Sequence, residues 1–212
     1  MTEHRSAGRR VVASIGLSMD GYYRRAGDEG ISHLADAEVG YDQIVRTIET
    51  ATTAVLGRVN AEVFMDYWPS VIGTGEVDPR DEAFARWLVA AEKVVLSSTL
   101  TASPWQGVQI ANAPAIDVIS ALRSDGEGDI LIAWSASVIK ALLAEDAIDR
   151  LNLVVAPVLG GGGHRLFDDD NPLTDWELVH HATSSPGVIA LTYDRRRRWW
   201  SEERHRFAAA LA

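Results

Sequence analysis

Residues 129–167, DILIAWSASVIKALLAEDAIDRLNLVVAPVLGGGGHRLF, decide the fold. A short apolar run leads to Ser135 and Ser137, then to apolar residues at helical spacing, a second apolar run and four glycines. This order predicts a strand, a helix, a second strand and a turn. Two strands joined in this way lie parallel in one sheet, with a right-handed crossover between them.

The start of the predicted helix is a candidate anion site. Ser135, Ala136 and Ser137 follow the first strand directly, and a helix start offers unpaired N–H groups and the positive end of the helix dipole. The simpler explanation is that one hydroxyl is an ordinary N-cap. Trp134 stands where a phosphate held close to the backbone would require glycine, so the phosphate hypothesis needs support from elsewhere in the chain.

Composition limits the class of protein. The chain has 212 residues, of which 47% are hydrophobic and 24% charged, and these values predict one globular domain over residues 1–212. A net charge of −10 argues against a nucleic-acid or acidic-membrane partner. The absence of cysteine excludes disulfides, thiolate metal sites and cysteine nucleophiles. No early segment is long and apolar enough for a signal peptide or membrane span, so we expect a cytoplasmic protein.

Strands and helices alternate through the middle of the chain. Apolar runs predict strands at residues 11–17, 53–56, 93–97 and 129–132 and a weak strand at 108–110, and residues 18–30 are predicted as a loop. Helices are predicted at 40–50, 58–66, 80–90 and 115–122, the second ending before Trp68-Pro69. Strands at 174–183 and 188–194 form an antiparallel hairpin, and residues 195–212 a helical appendage. The pattern indicates an α/β fold, with a mostly parallel sheet between helices.

Small polar residues or arginine follow three predicted strands. They are Gly57-Arg58, Ser97-Ser98-Thr99 and the segment that begins at Ser135. Each signal is weak alone, since an arginine in a first helical turn is usually solvated. In open α/β sheets, however, ligands bind outside the carboxyl ends of the strands, and arginine holds phosphate through two parallel hydrogen bonds. Together the three segments predict a phosphate-bearing ligand.

Two further segments are candidates for the substrate side of such a site. Asp20 follows the first strand, where a carboxylate can hold a substrate hydroxyl or amino group or relay a proton, although turn preferences alone favour a simple Asp-Gly turn. The run from Gly160 to Gly163 requires either close approach of a ligand or a sharp turn. The six histidines show no metal-ligand spacing, so no metal site is predicted.

Taken in order, these motifs resemble the dihydrofolate-reductase-like family. More closely they resemble its branch related to the C-terminal pyrimidine reductase domain of bacterial riboflavin biosynthesis. The resemblance covers roughly residues 10–194. It is carried by SMDG at 18–21, GR at 57–58 with Glu62, YWP at 67–69, KVVLSSTL at 93–100, DILI at 129–132 and APVLGGGGHRLF at 156–167.

The resemblance implies a three-layer fold, a homodimer and NADPH-dependent reduction of a small pterin- or pyrimidine-like heterocycle. Asp20, Gly160 and Gly161 would border the nicotinamide and substrate, with Asp20 as the catalytic candidate. The residues that would face the adenosine phosphate half of NADPH are Gly57, Arg58, Asn60, Ser97, Ser98 and Thr99. Those that would face the pyrophosphate are Trp134, Ser135, Ala136, Ser137 and Val138.

The chain departs from the family pattern at two positions. Asn60 replaces a usual threonine, and Trp134 replaces a usual glycine beside the pyrophosphate. The indole would either fill phosphate space or swing out and stack on a ligand. The leading hypothesis is therefore an NADPH-dependent reductase. The alternatives are a relative that has lost NADPH and serves as a binding protein or non-redox enzyme, and a relative that holds a flavin or deazaflavin in the same cleft.

Overall fold

A computed structural model describes residues 8–27 and 38–197. The helices are α1 (Glu38–Ile48), α2 (Arg58–Val71), α3 (Pro79–Ala90), α4 (Ala115–Ser124) and α5 (Ala136–Ala144). The strands are β1 (Val11–Ser18), β2 (Tyr22–Arg25), β3 (Ala51–Gly57), β4 (Glu92–Leu96), β5 (Val108–Ala111), β6 (Asp129–Ala133), β7 (Arg150–Ala156), β8 (Gly163–Arg165), β9 (Asp175–Thr183) and β10 (Ile189–Arg196). The helical appendage was predicted at residues 195–212. Most of it, residues 198–212, lies outside the described residues.

In the described part of the chain, eight strands form one mixed sheet in the order β5-β4-β3-β6-β1-β7-β10-β9. The six strands from β5 to β7 run parallel. Strand β10 runs antiparallel to both β7 and β9 and completes the C-terminal hairpin. The predicted fold class, a mostly parallel sheet with an antiparallel edge, is confirmed.

Helices cover both faces of the sheet because its central strands are apolar on both sides. Strands β1 and β6 are buried at every position, as expected for parallel strands between two helical layers. One core contains Ile119 of α4 and Ile139 of α5, and the other contains Ile44, Phe64 and Phe84 of α1, α2 and α3. The predicted three layers are therefore present, and no helix in the described ranges has the length and apolarity needed to cross a membrane.

The prediction that α2 ends before Trp68-Pro69 is wrong. The helix continues through both residues to Val71. An interior proline removes one hydrogen bond of the helix and disfavours helical geometry at the residue before it. The Trp68 ring lies 4.8 Å from the Phe84 ring and 5.9 Å from the Phe64 ring, measured between centroids. This aromatic packing against α3 holds the last turns of α2 in helical form.

A second correction concerns the predicted loop at residues 18–30. It contains β2, which pairs with β8 in an antiparallel two-stranded ribbon. Gly163 has a φ of 115°, and a Cβ at this position would lie only 2.2 Å from the carbonyl oxygen of Arg24. At Gly163 a glycine is therefore required for the close pairing of β8 with β2, and contact with a ligand is not needed to explain it.

We predict that Gly163→Ala destabilises the protein far more than Gly161→Ala. Both residues have a positive φ, so each alanine adds the left-handed cost of about 1 kcal/mol. A Cβ at Gly161 meets no atom within 4 Å, whereas one at Gly163 collides with the backbone. Denaturant unfolding is expected to show a further loss of about 2 kcal/mol or more for Gly163→Ala. Equal losses for the two variants would contradict the close pairing.

Candidate functional site

A cleft of about 1240 Å³ lies at the carboxyl ends of β3, β4, β5 and β6. Its walls come from the segments that follow these four strands, together with part of α2, α5 and the β2–β8 ribbon. All the residues predicted to face the cofactor line it: Gly57, Arg58, Asn60, Ser97, Ser98, Thr99, Trp134, Ser135, Ala136, Ser137 and Val138. The structure thus brings together segments that are about 80 residues apart in the chain.

Three helices begin at the wall of this cleft. Their first residues are Arg58, Ala115 and Ala136, and their N-cap residues make no side-chain cap hydrogen bond. The first N–H groups of a helix have no partner within it, and its N-terminus carries roughly half a positive charge. The cleft is therefore suited to an anionic group such as a phosphate.

The hydroxyl of Ser135 joins the starts of α2 and α5. Its oxygen accepts hydrogen bonds from the backbone N–H of Gly57 at 3.0 Å and from the side-chain amide of Asn60 at 3.1 Å. The Asn60 amide also donates to the carbonyl of Ala133 at 2.9 Å. Ser135 is 3% exposed, so these bonds form away from water. The Ser135 hydroxyl therefore links the starts of α2 and α5. It does not cap α5, although Ser135 is the N-cap residue of that helix.

Gly57 permits this close approach of the two helices. A Cβ at this residue would lie 3.3 Å from the Ser137 hydroxyl and 3.5 Å from a methyl carbon of Val138. Any side chain would therefore press against the first turn of α5. The sequence predicted that Gly57 allows a tight turn after β3. In the structure, Gly57 also allows the starts of α2 and α5 to come into contact.

Trp134 has the backbone conformation expected of glycine. Its φ is 51°, in the left-handed region, and its N–H donates to the carbonyl of Ser14 at 2.8 Å. Its partly buried ring lies 5.8 Å from the Phe64 ring and 5.3 Å from the Phe84 ring. The aromatic contacts, each about 0.5–1.5 kcal/mol, offset the backbone strain of about 1–2 kcal/mol. The ring thus packs into the core beneath α2 and α3 and forms part of the cleft wall.

The polar groups at the ends of β3 and β4 differ in how firmly they are held. Arg58 pairs with Glu62 one helical turn away, and both side chains are well exposed. Such a pair contributes only about 0.3–0.5 kcal/mol, so a phosphate can replace Glu62 at low cost. The Ser97 hydroxyl accepts from the backbone N–H groups of Thr99 at 3.2 Å and Leu100 at 3.0 Å, which shapes the loop after β4.

Asp20 lies with the glycine run and not among the residues that line the cleft. Its carboxylate accepts from the Ser18 hydroxyl at 2.6 Å and from the N–H groups of Gly160 at 2.7 Å and Gly161 at 3.1 Å. The Ser18 hydrogen bond, followed by that of Gly160, lowers the pKa of Asp20 to about 2. The carboxylate is thus ionised at neutral pH, where it accepts hydrogen bonds and has no proton to donate.

Several wall residues were missed by the sequence patterns. Asn112 and Pro114 follow β5, whose short apolar run gave only a weak strand signal and so did not mark its carboxyl end as part of a site. Tyr23 and Arg24 belong to β2, which was predicted as a loop because its partner β8 lies about 140 residues away. The other missed wall residues are Val59, Val63, Phe64, Trp68, Leu96, Ala113, Ala115 and Ala141.

Comparison with known proteins identifies the family. Residues 9–190 match the RibD C-terminal domain family. The chain belongs to this family. The resemblance inferred from the motifs is thereby confirmed, and the match covers most of the residues that the structure describes. No curated protein sequence is significantly similar to the chain.

Solved structures share the fold at low sequence identity. A protein from Shewanella sp. PV-4 that is named for riboflavin biosynthesis has 21% identity and a TM-score of 0.67, over 89% of this chain and 99% of the other. A pyrimidine reductase-like protein from Corynebacterium diphtheriae has 19% identity and a TM-score of 0.64, over 90% and 93%. Dihydrofolate reductase from Enterococcus faecalis, solved with NADP(H), has 18% identity and a TM-score of 0.55, over 88% and 96%. The predicted dihydrofolate-reductase-like fold is confirmed.

We predict that Trp134→Gly is more stable than Trp134→Ala by about 1–2 kcal/mol. Both variants lose the ring contacts with Phe64 and Phe84, at a cost of about 3 kcal/mol or more. Only alanine keeps the left-handed strain, because glycine adopts a positive φ freely. Urea unfolding of the two variants measures the difference. An alanine variant as stable as the glycine variant would show that the backbone at this position is not strained.

We predict a pH-dependent contribution of Asp20 to stability. Because the pKa in the folded protein falls from the ordinary value of 3.8 to about 2, the contribution is present above 3.8 and is lost as pH falls through about 2. The difference in Tm between the native protein and Asp20→Asn is expected to shrink across this window. A difference that stays constant from neutral pH to pH 2 would contradict the hydrogen bonding of Asp20 to the glycine run.

Proposed function

We propose that this chain is an NADPH-dependent reductase of a small heterocyclic substrate. The observation that carries the proposal is the meeting of three helix N-termini and Arg58 on one cleft. A cofactor with a pyrophosphate and a further phosphate on its adenosine requires this kind of divided positive site. Membership of the RibD C-terminal domain family supports the proposal.

The size of the cleft supports binding of a dinucleotide together with a substrate. Its volume of about 1240 Å³ exceeds the roughly 300–1,000 Å³ typical of single small-molecule pockets. The N–H groups of Ser137 and Val138 would hold the pyrophosphate at the first turn of α5. Arg58 and the hydroxyls of Ser98 and Thr99 would hold the adenosine phosphate, with Arg58 exchanging Glu62 for it. When bound, the nicotinamide supplies the hydride.

The protein's own part in such a reaction is to position the reactants and to exclude water. Trp68 and Trp134 provide an apolar wall beside the polar strand ends. Asp20 holds Gly160 and Gly161 at the border of the ribbon, which we propose is the substrate side. Its role as a proton relay stays a prediction, and its low pKa means that a proton donated at neutral pH must come from another group.

One observation favours a second candidate, a relative that binds a small molecule without NADPH. The Trp134 ring forms part of the wall at the start of α5, where the pyrophosphate would lie. Tryptophan fluorescence during NADPH titration separates the two functions. NADPH binding that appears only in Trp134→Gly would favour the second candidate, and tight binding by the native protein would exclude it. An absorbance spectrum of the purified protein tests the flavin or deazaflavin alternative.

We predict that Arg58→Ala weakens NADPH binding by roughly tenfold or more and changes NADH binding by less than about twofold. The reason is that only NADPH carries the additional phosphate that Arg58 would hold. Calorimetric titration with both cofactors measures the two affinities. Arg86→Ala is the matched control, because exposed Arg86 also forms an ion pair with a glutamate one helical turn away, Glu82 on α3, and does not line the cleft. Equal losses for the two cofactors would count against this role of Arg58.

A further inference from the structure

A second cavity, of about 310 Å³, lies at the end of the sheet opposite to the cleft. It is lined by Val12, Asp129 and Arg150, which are at or next to the first residues of β1, β6 and β7. It shares no lining residue with the cleft. Its volume exceeds the roughly 30 Å³ of one water and reaches the roughly 300 Å³ at which small-molecule pockets begin. The cavity is therefore a separate space, large enough for a small organic molecule.

Two buried side-chain amides line this cavity. Gln43 of α1 and Asn152 of β7 are each 2% exposed. Neither Gln43 Oε1 nor Asn152 Oδ1 accepts a hydrogen bond from a residue in the described part of the chain. Buried carbonyl oxygens in native proteins nearly always have a donor, because a missing hydrogen bond leaves the cost of their desolvation uncompensated. The two oxygens therefore require donors that the described residues around them do not supply.

The neighbouring hydrogen bonds fix the orientation of both amides. Gln43 Nε2 donates to the backbone carbonyl of Leu191 at 2.9 Å, and a carbonyl can only accept. Asn152 Nδ2 donates to the Thr47 hydroxyl at 2.8 Å, and that hydroxyl donates its own proton to the Gln43 carbonyl at 2.7 Å. Exchanging oxygen and nitrogen in either amide would place two acceptors against each other. The cavity therefore presents two acceptors, and a ligand that suits it must bring donors.

A β-bulge in β9 shapes the outer wall of the cavity. The pairing of β9 with β10 changes register between Thr192 and Tyr193, and Val179 is left without a partner on β10. Consecutive residues of a regular strand point to opposite faces of the sheet, yet Val179 and His180 both line the cavity. Bulges are frequent beside binding sites, where they redirect a side chain. Val179 is 45% exposed, which places it at the mouth.

The charges around the cavity favour an uncharged donor. Asp129 is the one carboxylate among the described residues that line it, and both of its oxygens already accept hydrogen bonds from Arg10. A primary amine is protonated at neutral pH, and a buried ammonium requires a carboxylate of its own. Arg46 and Arg150 line the same cavity; Arg150 is paired with Asp194, and Arg46 forms no ion pair within the described ranges. Both arginines disfavour a cationic ligand.

We propose that this cavity binds a small, planar, uncharged molecule that carries an NH2 group on a trigonal carbon, as in a primary amide or an amino-substituted heterocycle. Such a group is not protonated at neutral pH, and its two N–H donors match the two unused acceptors, Gln43 Oε1 and Asn152 Oδ1. The remainder of the molecule extends toward Val179 at the mouth. The site is independent of the function proposed for the cleft.

Nuclear magnetic resonance tests the proposal on the native protein, because side-chain amide signals report on both sites at once. Gln43 and Asn152 line the second cavity, whereas Asn60 and Asn112 line the cleft. The probes are benzamide and acetophenone, which differ only in that a methyl group replaces NH2. Benzamide is expected to shift the Gln43 and Asn152 signals and to bind there roughly tenfold or more tightly than acetophenone.

Val179→Trp is expected to abolish these shifts, because the larger side chain fills the mouth of the cavity. Leu178→Trp is the matched control, since Leu178 is the neighbouring residue on β9, is 46% exposed and does not line the cavity. This control is expected to bind benzamide as the native protein does.

Four results would overturn the proposal. They are equal affinity for benzamide and acetophenone, shifts confined to Asn60 and Asn112, benzamide binding that survives in Val179→Trp, and no response of Gln43 and Asn152 to benzamide at its solubility limit. The last result would show that water alone serves the two oxygens. The comparison of the two probes uses only the native protein, so it decides the proposal even if a variant fails to fold. Loss of NADPH binding, by contrast, would reject the reductase and leave this site unaffected.

Discussion

The candidate site depends on the hydrogen bonds that the buried Ser135 hydroxyl accepts from the Gly57 N–H and the Asn60 amide. These bonds hold together the N-termini of α2 and α5, two positive dipole ends that would otherwise repel each other. The absence of a side chain at Gly57 lets the helices come close enough for the bonds to form. With both helices fixed to the ends of β3 and β6, their free N–H groups face one shared cleft, which is the geometry that an anionic ligand requires.

The residues that line the cleft do not share the acidic balance of the whole protein. The chain has a net charge of −10, yet the described residues that line the cleft include two arginines and no carboxylate. The positive ends of the helix dipoles act within about one turn of the helix starts, where they favour an anion. The cleft therefore favours an anion at the strand ends and helix starts, and α2 and Trp134 give it an apolar wall.

Sequence patterns correctly predicted the structural elements that are determined by residues close together in the chain. The apolar runs of β1 and β6 predicted buried parallel strands, and the polar residues after β3, β4 and β6 predicted which segments would meet at the cleft. The patterns failed where a distant partner decided the outcome. β2 forms because β8 pairs with it, and α2 continues through Pro69 because Phe84 of α3 packs against Trp68. The direction of the Trp134 ring likewise depends on Phe64 and Phe84, which no local pattern connects to it.

The replacement of glycine by Trp134 is tolerated because the backbone keeps a φ of 51° while the ring packs with the core. We propose that this arrangement leaves the start of α5 open to a pyrophosphate. A crystal structure of the native protein grown with NADPH tests it most directly. The pyrophosphate is expected within hydrogen-bond distance of the Ser137 and Val138 N–H groups, with the Trp134 ring still against Phe64 and Phe84. A cofactor bound elsewhere, or a Trp134 ring in the pyrophosphate position with no cofactor bound, would contradict it.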